Sequence, residues 1–166
     1  MGLCYFNGRG VAKDQILAFK CYRKAANQGY ALAMNNLAVC YSKGDGIEAD
    51  PIWALAWFRK AADHGNAYAQ CSLASYYEQG KTVEKDPIQA AMWYRKAAEQ
   101  NDAQAQIHLA TLYLRGRGVE QDEDKAKLWL RKAAQQGNAS GKYGLELLKK
   151  FDAKIQKLID DYQSLL

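Results

Sequence analysis

Residues Phe58–Gln70 read FRKAADHGNAYAQ, and this stretch decides the fold because it returns with small changes. It recurs as YRKAANQGYALAM at Tyr22–Met34, YRKAAEQNDAQAQ at Tyr94–Gln106 and LRKAAQQGNASGK at Leu130–Lys142. Self-similarity at a fixed period is the signature of a stacked-repeat architecture and takes precedence over any local reading. Arg23, Arg59, Arg95 and Arg131 are each followed by Lys-Ala-Ala, and the step between them is always 36 residues. The same step links Tyr5, Tyr41, Tyr77 and Tyr113, then Gly8, Gly44, Gly80 and Gly116, then Asp14, Asp50, Asp86 and Asp122, and Ala18, Ala54, Ala90 and Ala126. Trp57, Trp93 and Trp129 form an aromatic series that has Cys21 in the first copy.

Working outward, Ala33, Leu37, Cys40 and Tyr41 fall on one face at helical spacing and define a helix A. Gly44, Gly46 and Ile47 interrupt it. Asp50 can then accept hydrogen bonds from the free amides of a new helix start, with Pro51 pre-set at its first position. The apolar face of this helix B is Ala54, Trp57, Phe58 and Ala61, and Gly65 closes it where a left-handed residue is wanted. Asn101 takes the place of that glycine in the third copy, and Asn is the next most tolerant residue there. One hairpin cannot bury its own apolar face, so the hairpins must stack. Burial of each large side chain between layers is worth about 1.5 to 3 kcal/mol. Trp57, Trp93 and Trp129 are expected to pack between layers, while Ala61, Ala62, Ala97 and Ala98 let neighbouring helices approach closely.

The expected fold class is all-α: an α-α superhelix, or solenoid, of about four 36-residue helical hairpins plus a C-terminal amphipathic helix. Residues 1–137 carry the repeats (1–29 incomplete, then 30–65, 66–101 and 102–137), and 138–166 form one or more capping helices. A step of 36 back from Leu37 lands on Met1, so the chain opens inside a helix A, which suits a piece of a longer array and leaves Leu3 and Phe6 incompletely covered. At the other end no glycine loop appears where the period requires it at Asp152. Phe151, Ile155, Leu158, Ile159, Tyr162, Leu165 and Leu166 instead make an apolar stripe opposite Lys154, Lys157, Asp160 and Asp161. That helix reads as a cap on the last repeat, with a dimer or partner contact as the other use.

The pattern small-x-x-x-Leu-Ala-x-x-Tyr-x-x-Gly-x-Gly-Val, then Asp, Ala, Trp-Tyr-x-Lys-Ala-Ala and Gly, resembles the Sel-one-like repeat family, a relative of the tetratricopeptide repeats. The resemblance runs from about Leu3 to Gly137. It is cleanest at Leu109, Tyr113, Gly116, Gly118, Val119, Asp122, Ala126, Trp129, Lys132, Ala133, Ala134 and Gly137. It implies a right-handed superhelix and work as an adaptor or scaffold in protein complexes, with many bacterial members. Thr82 departs from the pattern at the second loop glycine, and Leu130 departs at the aromatic after Trp129.

With 166 residues, 49% of them hydrophobic and 25% charged, the composition excludes a disordered or collagen-like chain. Lys and Arg number 23 against 18 Asp and Glu, a net +5 that is spread along the chain rather than gathered as nucleic-acid binders gather it. The Arg-Lys pairs repeat in every copy, which suits a structural task such as pairing with acidic groups of the loops; nucleic acid is not an expected partner. No run reaches the roughly 20 apolar residues of a membrane span, and Met1–Gly10 lacks a secretory leader's pattern. Cys4, Cys21, Cys40 and Cys71 have no CxxC spacing and read as free, buried thiols, so the expected compartment is the cytoplasm, with a periplasmic or secreted location if a leader was removed.

No phosphate loop, HExxH or GxSxG is present, and two histidines give a metal site little material. No cofactor, metal or catalytic residue is expected. The sharpest catalytic pairing would be Cys71 with His108, on helices A of adjacent layers, but no orienting acid or oxyanion site accompanies it.

Helices A should line the concave wall, and the positions that the core columns leave free should face the groove. By register these are Leu32, Asn35, Val39 and Lys43; Tyr68, Cys71, Ser75 and Gln79; Gln104, Ile107, Thr111 and Arg115; with Tyr143, Leu147 and Lys150 beyond. They vary where the core columns repeat, and they suit an extended peptide or a helix, anchored at Tyr68, Tyr143 and Arg115. The expected function is a non-enzymatic protein-protein interaction scaffold binding another protein or peptide. The alternative is an inhibitor or immunity-type protein masking a toxic enzyme. Self-association through the C-terminal helix or the incomplete first repeat is a further route.

Overall fold

The computed structural model describes residues 1–163, with side chains through Lys154 and that of Lys157. Among the described residues there are nine helices and no strand: α1 Gly2–Asn7, α2 Gln15–Ala26, α3 Ala31–Lys43, α4 Pro51–Asp63, α5 Ala67–Gln79, α6 Pro87–Glu99, α7 Ala103–Arg115, α8 Glu123–Gln135 and α9 Ala139–Gln163. Each packs on the next in order, which is the stacked-hairpin solenoid expected from the 36-residue period. Helices α1, α3, α5, α7 and the start of α9 are helices A; α2, α4, α6 and α8 are helices B.

The recurring columns explain the helix ends. Asp50 caps α4 by accepting from the amides of Ile52 and Trp53 at 2.9 and 3.0 Å, and Asp86 does the same for Ile88 and Gln89 on α6. The amides of these aspartates donate in turn to the Tyr column: Asp50 to the carbonyl of Tyr41 at 2.8 Å, Asp86 to Tyr77 and Asp122 to Tyr113, each at 3.0 Å. Two columns that repeat in sequence therefore meet in one hydrogen bond that closes each loop. Asn101 adopts φ 66°, the left-handed conformation that Gly65 holds at 81°.

Between the layers, Ala18, Ala54, Ala90 and Ala126 are fully buried together with Leu37, Leu73 and Leu109. Trp93 and Trp129 are buried and Trp57 half-buried, as the repeat requires. The Arg-Lys ladder has a different task from the expected pairing with loop carboxylates. Lys60, Lys96 and Lys132 lie over the rings of Trp57, Trp93 and Trp129, with Nζ 4.5, 4.1 and 4.2 Å from the ring centres. The arginines donate to phenols: Arg59 to Tyr77 Oη and Arg95 to Tyr113 Oη, both at 2.8 Å. A lysine three residues after a tryptophan lies one turn along the same face, so its stem and charge cover the ring.

Gly118 holds φ 69° where its loop meets the start of α6, and a Cβ there would run into the carbonyl of Pro87. Gly46 meets Gln15 in the same way two layers earlier. Thr82, at the equivalent position between them, carries φ 67°, a conformation that a β-branched residue rarely adopts. Helix α9 begins as a fifth helix A, with Gly141 against Ala133 and Ala134 and Gly144 against Leu130, and runs on as a single helix. Lys127 holds it to α8 through Asp152 at 2.8 Å. Of the C-terminal stripe, Phe151 stands exposed. The side chains of Ile155, Leu158, Ile159 and Tyr162, and Leu165 and Leu166 entirely, lie outside the described residues.

Candidate functional site

The exposed face of helices A is built by four rows along successive layers. Leu32, Tyr68 and Gln104 open it and are exposed; Lys43, Gln79 and Arg115 end it and are exposed; Val39, Ser75 and Thr111 run along its middle half-buried. Cys71 and Ile107 are half-buried on its flank. Tyr143, Leu147 and Lys150 are exposed on α9, and Lys150 pairs with Glu146 at 3.0 Å. Several wall side chains are already engaged locally: Gln79 donates to Ser75 Oγ at 2.7 Å and Thr111 to the carbonyl of Ile107 at 3.0 Å.

Asn35 corrects the expected face. It is only 7% exposed, and its Oδ1 is buried without a hydrogen-bond partner among the described residues. At about 100° per residue, position 35 sits some 60° to one side of the row through Leu32, whereas position 36 sits about 40° to the other. The wall therefore includes the row Asn36, Ser72 and His108, all half-buried, which the sequence reading passed over. The same angular arithmetic applied to the sequence would have found it.

The centre of the wall is a polar stack. His108 lies flat on Tyr94, ring centres 4.8 Å apart and planes 7° from parallel. Tyr94 is fully buried and donates its hydroxyl to Glu78 Oε2 at 2.8 Å; burial first, then the Glu78 hydrogen bond and charge, push its phenol pKa upward. His108 Nδ1 lies 3.9 Å from the same carboxylate, and its Nε2 lies 3.1 Å from Gln104 Nε2. With the proton on Nδ1, Nε2 accepts from the Gln104 amide while the N–H faces the Glu78 carboxylate.

Beside this stack a depression of about 360 Å³ opens between α3 and α5, lined by Val39, Lys43, Phe58, Ser72, Tyr76 and His108. Cys71 lines it too, so the structure brings the thiol and His108 to one place. Their chemistry is nevertheless wrong for a nucleophile. Burial, the charge of Asp102 and a hydrogen bond to it push the Cys71 thiol up to about 12, whereas an activated cysteine needs its pKa lowered. Among the described residues no group of three or more His, Cys, Asp or Glu side chains is placed to hold a metal. Nor, among them, is any helix long and apolar enough to cross a membrane.

Stacked hairpins with a repeating core and a varying inner row define a helical-repeat protein. The chain belongs to the Sel1 repeat family, whose repeat matches residues 1–30, 31–66, 67–102 and 103–138. Sel1 repeat proteins generally mediate protein-protein interaction. Among solved structures, a Sel1 repeat protein from Oxalobacter formigenes is similar at 35% identity and TM-score 0.82, over 87% of this chain and 59% of that one. A protective antigen of uropathogenic Escherichia coli strains, displaying an SLR fold, is similar at 35% identity and TM-score 0.80, over 87% of this chain and 31% of that one. Cysteine rich protein B of Helicobacter pylori shares 26% identity at TM-score 0.62, over 78% of this chain and 92% of that one. The chain thus spans about a third and about three fifths of the lengths of the E. coli and O. formigenes proteins. No curated protein is significantly similar in sequence.

Proposed function

We infer that this chain is a non-catalytic module that grips a polypeptide along the wall formed by α3, α5 and α7. The observation that carries the reading is the split between columns. Positions that hold the layers together repeat from copy to copy, whereas Leu32, Tyr68 and Gln104, and Lys43, Gln79 and Arg115, differ in every layer and stand exposed in line. A surface whose rows differ from layer to layer presents a different chemistry to each segment of an extended partner, which is how a solenoid acquires specificity. Tyr68 offers a rigid aromatic contact and Arg115 a planar cationic fork, two of the three side-chain types enriched among energetic interface residues. The amides of Gln79 and Gln104 suit main-chain groups of the partner. The cytoplasm is the proposed place of this work, in keeping with four unpaired thiols.

Selection of a displayed random-peptide library on the immobilised chain supplies the probe. Peptides so recovered are expected to lose binding to the Tyr68→Ala, Arg115→Glu double variant while its melting temperature stays within a degree or two, since both side chains are exposed. Undiminished binding to that variant would refute the wall as the site.

A further inference from the structure

The repeat provides an internal control for the depression between α3 and α5. In the next layer the equivalent space, between α5 and α7, is filled by the protein itself: His108 lies on Tyr94, and Glu78 accepts the Tyr94 hydroxyl. One period earlier those three positions are Ser72, Phe58 and Ser42. The imidazole has become a short hydroxymethyl group, the carboxylate likewise, and the ring beneath has lost its hydroxyl. What remains is the opening of about 360 Å³, floored by Phe58 and Tyr76 and rimmed by Ser42, Lys43, Ser72 and His108. Phe58 and Tyr76 pack at a tilt, ring centres 5.8 Å apart. Tyr76 is more than nine-tenths buried, and its hydroxyl has no hydrogen-bond partner among the described residues.

We propose that this opening is a slot for one planar aromatic side chain with a polar edge, inserted by the bound polypeptide. The ring takes the place that the His108 imidazole fills one layer on, and its polar edge faces the serines at the rim. This deepens the wall reading and rests on it for the source of the ring, but the slot itself can be tested without any polypeptide. The chemistry of the walls favours a flat ring over an aliphatic chain. Two aromatic rings form the floor, and aromatic pairs gain energy beyond the area they bury. The Ser42 and Ser72 hydroxyls at the rim offer hydrogen bonds to a phenol or imidazole edge and nothing to a hydrocarbon.

The probes are p-cresol, 4-methylimidazole and, as an aliphatic control of similar size, methylcyclohexane, each titrated into the isotope-labelled full chain and followed by amide and side-chain resonances. Saturable shifts centred on Val39, Ser72, Ser75 and Tyr76 are expected with p-cresol and 4-methylimidazole and not with methylcyclohexane. A Ser42→Glu, Phe58→Tyr, Ser72→His variant copies the filled layer into the open one and should weaken p-cresol by about tenfold or more. Ser72→His alone, at a half-buried surface position, decides the matter if the triple variant does not fold. Equal binding of methylcyclohexane, shifts centred elsewhere, or an undiminished response in the filled variants would overturn the slot. Those results would leave the wall standing, because the wall fails only if library peptides ignore the Tyr68 and Arg115 substitutions.

Discussion

Gln100 Nε2 donates to Gln70 Oε1 at 2.8 Å, and Gln70, buried between layers, donates its own amide to the carbonyl of Ala62 at 3.2 Å. The arrangement repeats one layer on: Gln136 donates to Gln106 at 2.9 Å, and Gln106, fully buried, donates to Ala98 at 3.1 Å. In the preceding layer the two positions are Met34 and His64, and the imidazole turns back to the Lys60 carbonyl at 2.9 Å. The two positions therefore change together from polar pair to apolar residue and bystander.

That covariation predicts a specific coupling. Gln106→Ala should cost about 2 to 3 kcal/mol, combining a cavity with lost hydrogen bonds, whereas Gln106→Met should cost less than about 1 kcal/mol because the Met34 layer already works that way. Gln136→Ala should destabilise the wild type by about 1 kcal/mol and have no effect in the Met background, a coupling that denaturant melts of the four proteins would read directly.

Thr82 and Gly118 should respond to substitution in opposite senses. Thr82→Gly releases a β-branched residue held at φ 67° and should stabilise by about 1 kcal/mol, even after glycine's greater freedom in the unfolded chain. Gly118→Ala places a Cβ against the backbone of Pro87 and should destabilise by more than about 1 kcal/mol. Thermal denaturation of both variants checks the pair.

The Arg-Lys ladder should be nearly insensitive to salt. Arg95 reaches a phenol and Lys96 a tryptophan ring, so neither contact is the carboxylate pair that mobile ions screen most effectively. Lys96→Ala should cost about 0.5 to 1 kcal/mol and alter the Trp93 fluorescence, and the cost should be similar at about 0.05 and 1 M salt. A cost that vanishes in high salt would contradict the assignment.

Alkaline pH should unfold the chain partly through its thiols. Burial, followed by nearby carboxylates, raises Cys40 to about 11 and Cys71 to about 12 from the ordinary 9.0. Below pH 9 both thiols are neutral in either state and their contribution is complete. As pH rises from 9 toward 11 and 12 the unfolded chain ionises while the folded chain does not, so stability falls. A Cys40→Ala, Cys71→Ala variant, although less stable at neutral pH, should show a shallower loss between pH 9 and 11 in denaturant titrations.

Much of this architecture can be read without coordinates, because the physics of a solenoid is written in columns. Asp50 with Pro51, Gly65 with Asn101 and the Trp57 series each announce one local role, and each is found in it. What the columns hide is the partner of each side chain. Arg59 and Lys60 repeat as faithfully as any core residue, yet nothing in their spacing distinguishes a carboxylate partner from the Tyr77 hydroxyl and the Trp57 ring that they meet. Asn35 and Ser72 occupy repeat positions one residue, about 100°, apart, and that angle, not polarity, decides that the first is buried and the second reaches the wall. Gln70 and Gln106 look like surface residues by type; only the 30-residue reach of Gln100 and Gln136 makes them core.

Titration of the isotope-labelled chain with a peptide recovered from the displayed library tests the central claim most directly. Shifts along Leu32, Val39, Tyr68, Ser75, Gln104 and Thr111 are the predicted result. Shifts confined to Ile16, Ile52, Trp53 and Ile88, the exposed apolar side chains at the starts of α2, α4 and α6, would place the partner elsewhere and contradict it.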